Sequence, residues 1–77
     1  MKESEVIDLL VSEMSRARIL HPGWPEDKVH AVAIVVEEAG EAMQAALNHH
    51  YHGGSIEEIK KELAHTGAMA IRALLNL

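Results

Sequence analysis

The sequence predicts an all-α fold of three helical segments, the last two of which form a long antiparallel hairpin. Apolar residues recur at helical rather than alternating spacing. The strong helix breakers fall in only two places, residues 21–25 and 53–54. Hydrophobic residues make up 48% of the chain but include one Trp, one Tyr and no Phe, a composition that suits closely packed helices. We therefore expect one helical domain over residues 1–77.

Local signals place the ends of the helices. The three predicted segments cover about residues 4–19, 25–51 and 55–77. Pro25 is expected at the first-turn position of the second helix, where its missing N–H costs nothing, and Asp27 follows at the positive end of the helix dipole. Gly53 ends this helix. Ser55 and Glu58 form a predicted capping box at the start of the third.

The third segment carries two apolar stripes, which is more than one contact within the chain requires. The first stripe is Ile56, Ile59, Leu63, Ala70 and Leu74; the second is Ala64, Ala68, Ile71 and Leu75, with Gly67 between the two. We expect the second stripe to be a subunit interface, because its small residues permit close helix approach. A chain of this size commonly needs a metal or a partner subunit for stability. Oligomerisation is thus expected to complete a four-helix-type bundle.

Charge and composition exclude several classes of function. The net charge of -5 argues against binding to a nucleic-acid polymer, which requires clustered Lys and Arg. The absence of cysteine excludes disulfides and thiolate metal sites. No apolar run approaches the ~18–20 residues of a membrane span, and residues 1–5 lack the basic start of a signal peptide. We expect a cytoplasmic protein with no membrane partner.

Three glutamates cluster on the second predicted helix without a basic partner. Glu37, Glu38 and Glu41 fall within about 100° of arc, and residues 29–59 contain no Lys or Arg. Like charges one turn apart destabilise a helix by a few tenths of a kcal/mol per pair. One interpretation is a site for a compensating divalent cation. The other is a solvated acidic face, favoured by an apolar arc that points away from it: Val29, Val32, Val36, Met43 and Leu47.

A matching pair of residues occurs on the third helix. Glu62 and His65 lie one turn apart and share a face. Glu41 lies about ten residues before the turn and Glu62 about ten after it, so at ~1.5 Å per residue they reach the same height in an antiparallel pair. Carboxylate metal sites in bundle cores have this arrangement. Oxygen-rich ligation favours Mg²⁺ or Mn²⁺ over structural zinc.

These acidic residues belong to a longer resemblance. Glu37-Glu38-x-x-Glu41, followed after twenty residues by Glu62-x-x-His65, resembles the EExxE…ExxD signature of the MazG-like all-α nucleotide pyrophosphohydrolases. Their superfamily includes the dimeric dUTPases and phosphoribosyl-ATP pyrophosphohydrolase. Other stretches resemble the short MazG-like proteins often found in phages and mobile elements: MSRAR at 14–18, HPGWP at 21–25, VEEAGE at 36–41 and AMAIR at 68–72.

The resemblance implies an enzyme that hydrolyses a nucleoside triphosphate to the monophosphate and pyrophosphate, in a house-cleaning role. It implies a homodimer or homotetramer of helical hairpins that depends on Mg²⁺, with Mn²⁺ as a substitute. Glu38, Glu41 and Glu62 would be metal ligands, and Glu37 a ligand or the acceptor that orients the attacking water, so that Glu37 and Glu38 are the implied catalytic pair. The cation would neutralise phosphate charge and activate the water.

One position departs from the family pattern, because His65 stands where the signature has aspartate. A neutral imidazole binds metals but supplies neither the negative charge nor the hard oxygen, which weakens Mg²⁺ relative to Mn²⁺ or softer ions. His65 is interpreted as a modified metal ligand, as a group that supports the ligands, or as a sign of lost activity. The last interpretation motivates the alternative function, a noncatalytic helical module that binds metal or nucleotide or only oligomerises.

Four residues are candidates for substrate contacts. A triphosphate requires cations beyond the metal, and these are Arg16, Lys61 and Arg72, of which Arg72 shares the face of the candidate ligands on the third helix. A solvated or helix-end role is the alternative for each. Trp24 could stack on a nucleobase or close the end of a bundle. The histidines within residues 49–52 suit a helix C-terminus better than a metal site.

Overall fold

The computed structural model describes residues 1–77 and confirms the all-α prediction. It contains three helices and no strand: α1 (Glu3–Leu20), α2 (Lys28–His52) and α3 (Ile56–Leu75). None of them combines the length and apolar character that a bilayer crossing would require. The predicted segments are therefore correct in number and type, and differ from the structure only at their ends.

Helix α3 lies at the centre of the fold. It packs against α2 as an antiparallel hairpin and against α1 on another side, whereas the backbones of α1 and α2 do not approach each other closely. The hairpin turn is short because α2 ends at Gly53, whose φ of 73° is in the left-handed region that glycine tolerates. Ser55 then caps α3 by accepting a bond from the N–H of Glu58 at 3.1 Å. The predicted capping box is formed in this one direction.

The predicted start of α2 at Pro25 was wrong by three residues. The helix begins at Lys28, and Asp27 is its N-cap, with a side-chain oxygen that accepts from the N–H of Val29 at 2.9 Å. An aspartate side chain satisfies one of the otherwise unpaired donors of the first turn, which makes the N-cap its preferred position. Pro25 therefore belongs to the loop between α1 and α2.

The small residues of α3 contact α1 rather than a partner subunit. Ala64 and Ala68 are buried within the chain. A Cβ on Gly67 would lie 2.5 Å from Cδ2 of Leu10, so α1 occupies the space that this glycine leaves open. The prediction of a subunit interface at Ala64, Gly67 and Ala68 was wrong, because α1 of the same chain covers this part of the stripe.

Much apolar surface remains uncovered in the single chain. The buried apolar residues are all alanines, and no large side chain is fully buried. The apolar arc of α2 faces solvent along its length, with Val29 79% and Val36 63% exposed. On α3, Leu63 and Leu74 of the first stripe are exposed as well. The chain therefore presents an unpaired apolar face on α2, opposite the side from which Glu38 reaches α3.

Candidate metal centre

Three candidate ligands meet where α2 packs against α3. Glu38 projects from α2 toward Glu62 and His65, which lie one turn apart on α3. One ligand atom from each residue can be chosen so that all three lie within 4.8 Å of one another. Nδ1 of His65 lies 3.6 Å from Oε2 of Glu62 and 3.9 Å from Oε2 of Glu38. The antiparallel hairpin brings these residues together from distant positions in the sequence, as their matched height predicted.

The carboxylates of this group fit a divalent cation. Oε2 of Glu38 and Oε2 of Glu62 are both buried and accept no hydrogen bond from the protein. A buried acceptor left without a partner costs about 1–3 kcal/mol, and more when it is charged. Donor atoms around an ion with bonds of about 2.1 Å lie roughly 3.0–3.4 Å apart. The separations of 3.6 and 3.9 Å from Nδ1 of His65 would thus have to contract by less than about 1 Å, and the remaining separation, which is at most 4.8 Å, by up to about 1.8 Å.

The electrostatics of Glu38 point the same way. Burial raises its pKa above the ordinary value, and the neighbouring charges of Glu41 and Glu62 add to the rise, while His65 opposes it. No Lys or Arg forms an ion pair with Glu38 or Glu62. Their negative charge therefore lacks a permanent counterion within the chain, and a bound cation would supply one.

Sequence analysis missed a fourth residue at this site. Oε1 of Glu13, on α1, lies 2.8 Å from Nε2 of His65. Nε and Nη2 of Arg16 donate to the Glu13 carboxylate, and this hydrogen bonding is the largest cause of its lowered pKa. A signal was present, because Glu13 lies between Leu10 and Ala17 on the stripe of α1 that faces α3. An acid in that stripe needs a partner on the opposing helix.

The structure does not bring the other two glutamates of the motif into the group. Glu41 is exposed one turn beyond Glu38 and does not belong to the cluster of three ligands. It lines a neighbouring depression together with Glu62, and its charge acts on Glu38. Glu37 is exposed and also lies outside the group. The structure thus brings only Glu38 of the motif into the group, whereas Glu37 lies outside it and so does Glu41, which the count from the turn had matched with Glu62.

A cavity of about 390 Å³ opens beside the candidate ligands. Glu38, His65 and Glu13 lie along one part of its wall, and Arg16 borders it too. The remaining wall is largely apolar and consists of Ala17, Leu20, Ile34, Met69 and Trp24, with Arg72 and the loop residues His21 and Gly23. Half-buried Trp24 is thus part of this cavity, which is compatible with both interpretations of its ring.

Arg72 contacts the loop between α1 and α2, and its predicted phosphate contact stays a prediction. It is only 4% exposed, and Nη2 donates to the backbone oxygens of His21 at 2.8 Å and Gly23 at 3.2 Å. Its guanidinium carbon also lies 4.9 Å from the centre of the Trp24 ring, a cation–π distance. Arg72 therefore fastens the loop between α1 and α2 to α3, and it holds Trp24 in place.

The remaining predicted residues lie apart from the cluster. Lys61 is exposed, lies 3.9 Å from a carboxylate oxygen of Glu58 and is not part of the cavity. His49 is at the C-terminal end of α2, where Nδ1 lies 2.7 Å from the carbonyl oxygen of Gly54. The histidines of residues 49–52 are not among the groups of residues that could hold a metal ion.

The function of the site is inferred from its chemistry alone. The chain matches no protein-family model, no curated protein and no solved structure.

Proposed function

We propose that this protein is a metal-dependent nucleoside triphosphate pyrophosphohydrolase of the MazG-like type. The observation that carries the proposal is the convergence of two buried, unpartnered carboxylate oxygens, from Glu38 and Glu62, with Nδ1 of His65, in a group of which Glu38 and His65 also line a ligand-sized cavity. Pockets for small ligands commonly have volumes of 300–1,000 Å³ and apolar walls with few convergent polar groups. The cavity of about 390 Å³ meets this description.

Each part of the site has a proposed role. Glu38, Glu62 and His65 hold a Mg²⁺ or Mn²⁺ ion, and the adjacent Glu41 completes the set. Such an ion would neutralise the charge of the phosphates. It would also lower the pKa of a bound water, so that the water can lose a proton and attack phosphorus. The pKa of Glu38 is raised by burial and neighbouring acids, and its carboxylate faces the proposed ion. The imidazole in the set favours Mn²⁺ over Mg²⁺.

The opposite end of the cavity is suited to the nucleoside. The ring of Trp24 is fixed against Arg72, so an aromatic surface is available for stacking without reorganisation. Arg16 lines the same cavity, and two of its nitrogens are engaged by Glu13. A guanidinium carries five N–H donors, so others remain for a phosphate oxygen. The proposed substrate therefore places its base near Trp24 and its phosphates toward Glu38.

We also propose that the protein is a homodimer or homotetramer, formed through the apolar arc of α2. Val29, Val32, Val36, Met43 and Leu47 are all exposed on this arc. Gly40 lies within it, and a Cβ added there would meet nothing within 4 Å. A glycine inside a helix costs about 1 kcal/mol relative to alanine, and nothing within the chain requires it. A closely approaching helix of a second copy would require a glycine at this position.

The alternative is a noncatalytic module that retains the helical fold and binds a cation or nucleotide. The observation in its favour is that Glu37 and Glu41 lie outside the ligand group, and that His65 replaces a carboxylate. Such a module would be stabilised by divalent cations without hydrolysing a triphosphate. The two functions therefore differ in turnover and agree in metal binding.

A pyrophosphate-release assay separates them. The purified protein is incubated with canonical and modified nucleoside triphosphates in the presence of Mg²⁺ or Mn²⁺. We expect metal-dependent pyrophosphate release that Glu62→Gln abolishes. Glu57→Gln is the matched control, because it removes the same charge from the same helix at a side chain that is 81% exposed. Absence of release with both metals, from a folded protein that binds Mn²⁺, would favour the noncatalytic module.

A further inference from the structure

The orientation of His65 is determined by a residue of α1 that is not part of the acidic motif. The imidazole lies between two acidic groups, with Nε2 directed toward Glu13 and Nδ1 toward Glu38 and Glu62. A neutral imidazole carries one proton, and the nitrogen without it has the lone pair that can bind a metal. The position of that proton therefore decides whether His65 can act as a ligand of the proposed ion.

The distances assign the proton to Nε2. Oε1 of Glu13 lies 2.8 Å from Nε2, which is the length of a charge-assisted hydrogen bond. A lone pair on Nε2 would face the carboxylate at this distance and be repelled. The one competing donor is Nη2 of Arg16, 3.5 Å from Nε2 and already bonded to Glu13. The shorter contact, between Nε2 and Glu13, therefore decides the position of the proton in the neutral ring. Nδ1 then keeps its lone pair, which is directed toward the two buried carboxylate oxygens.

We infer that Glu13 is a positioning residue that fixes the Nε2–H tautomer of His65 and so presents Nδ1 to a divalent cation held with Glu38 and Glu62. The inference rests on the metal site of the proposed function and identifies the group that prepares it. Histidine ligands commonly donate their second N–H to a carboxylate, which fixes the ring and raises its basicity. Arg16 extends the arrangement by holding the Glu13 carboxylate in place.

The packing of α1 makes this contact possible. Glu13 reaches α3 because Ala64 and Gly67, on either side of His65 in the sequence, let α1 approach closely. The Glu13 side chain is only 15% exposed, so solvent competes little for its oxygens. Removal of this carboxylate should free the imidazole to rotate or to exchange tautomers, without removing any atom that binds the ion.

The tautomer can be measured in the wild-type protein without any variant. Long-range ¹H–¹⁵N NMR distinguishes a protonated ring nitrogen from one with a free lone pair, and His65→Asn identifies the signals that belong to this ring. At about pH 8 we expect the proton on Nε2 and none on Nδ1. A proton on Nδ1, in a neutral or a charged ring, would overturn the inference.

The second measurement is Mn²⁺ affinity, by calorimetric titration of the folded wild-type and variant proteins. Loss of a carboxylate that supports a histidine ligand typically weakens metal binding 10–100-fold. We expect Glu13→Gln to show a loss of this size together with a change in the His65 nitrogen signals. Asp8→Asn, which removes the same charge from an exposed position of α1, should change neither. Circular dichroism confirms that each variant is folded.

The outcomes separate the inference from the proposed function. If wild-type protein binds Mn²⁺ through Glu62 but Glu13→Gln binds it equally well, the role of Glu13 is refuted and the metal site stands. If wild-type protein does not bind Mn²⁺, both the role of Glu13 and the proposed metal site are refuted. The titration of the wild-type protein alone shows this outcome.

Discussion

The metal site predicts that one substitution reverses its effect on stability when a divalent cation is added. Glu62→Gln removes a negative charge that lies near Glu38 in a group spanning at most 4.8 Å. At this separation, two unit charges repel by about 1 kcal/mol in water and by about 3 kcal/mol at an effective dielectric constant of 20. We therefore expect the metal-free variant to be more stable than the wild type by on the order of 1 kcal/mol.

Addition of Mn²⁺ should invert this order. A ligand that binds only the folded state at 100 times its dissociation constant stabilises it by about 2.7 kcal/mol. For a domain of this size, 1 kcal/mol corresponds to roughly 4–8 °C in Tm. The wild type should thus gain more than about 10 °C. The variant, with a buried ligand removed, should gain little.

Differential scanning fluorimetry at one fixed protein concentration measures all four melting temperatures, since oligomerisation would make Tm depend on concentration. Glu57→Gln is the control and should follow the wild type under both conditions. The reasoning is refuted if Glu62→Gln lowers Tm without metal, or if Mn²⁺ stabilises variant and wild type equally. The first result would mean that Glu62 is satisfied within the chain; the second would place the ion elsewhere.

Three further predictions follow from other features of the structure. The pKa of Glu38 is raised by burial and neighbouring acids, so its ionisation destabilises the metal-free fold. Glu38→Gln should therefore be more stable than the wild type near pH 7. In urea unfolding, this difference in stability should disappear as the pH falls through the raised pKa toward the ordinary value of about 4.3. Arg72→Met should lower the free energy of unfolding by about 2–3 kcal/mol, because it removes charged hydrogen bonds to two loop carbonyls. The fluorescence of the single tryptophan, Trp24, should shift to the red. An unchanged spectrum would contradict the anchoring role of Arg72. Val36→Asp should dissociate the proposed oligomer in sedimentation velocity, and an unchanged sedimentation coefficient would exclude this face of α2 as the interface.

The ends of the helices were predictable from sequence where a single local signal decides them. Gly53 and Ser55 are examples, because a left-handed residue and a side-chain cap act through neighbouring backbone atoms. At the start of α2, two local signals compete. Pro25 suits a first helical turn and Asp27 suits an N-cap, and the structure shows that the aspartate cap defines the start.

The packing of the helices was less predictable, because periodicity identifies an apolar face but not the element that covers it. Ala64 and Ala68 were correctly placed on an apolar stripe, yet the stripe was assigned to a second subunit. Within the structure α1 packs on it at Gly67, and the apolar arc of α2 is left uncovered, as are Leu63 and Leu74 of α3. Both arrangements fit the same sequence pattern. The choice between them depends on how closely α1 can approach Gly67, which is a property of the assembled backbone.

The same packing explains why the candidate site was only partly predictable. The approach of the acidic segment of α2 to Glu62 and His65 follows from the length of one hairpin, although the count of residues from the turn matched Glu62 with Glu41 rather than with Glu38. The contribution of Glu13 depends instead on the crossing of α1 over α3. That crossing brings Leu10 of α1 against Gly67, two residues beyond His65 along α3. The stripe that lets α1 pack closely is therefore also the feature that brings a carboxylate within 2.8 Å of the imidazole.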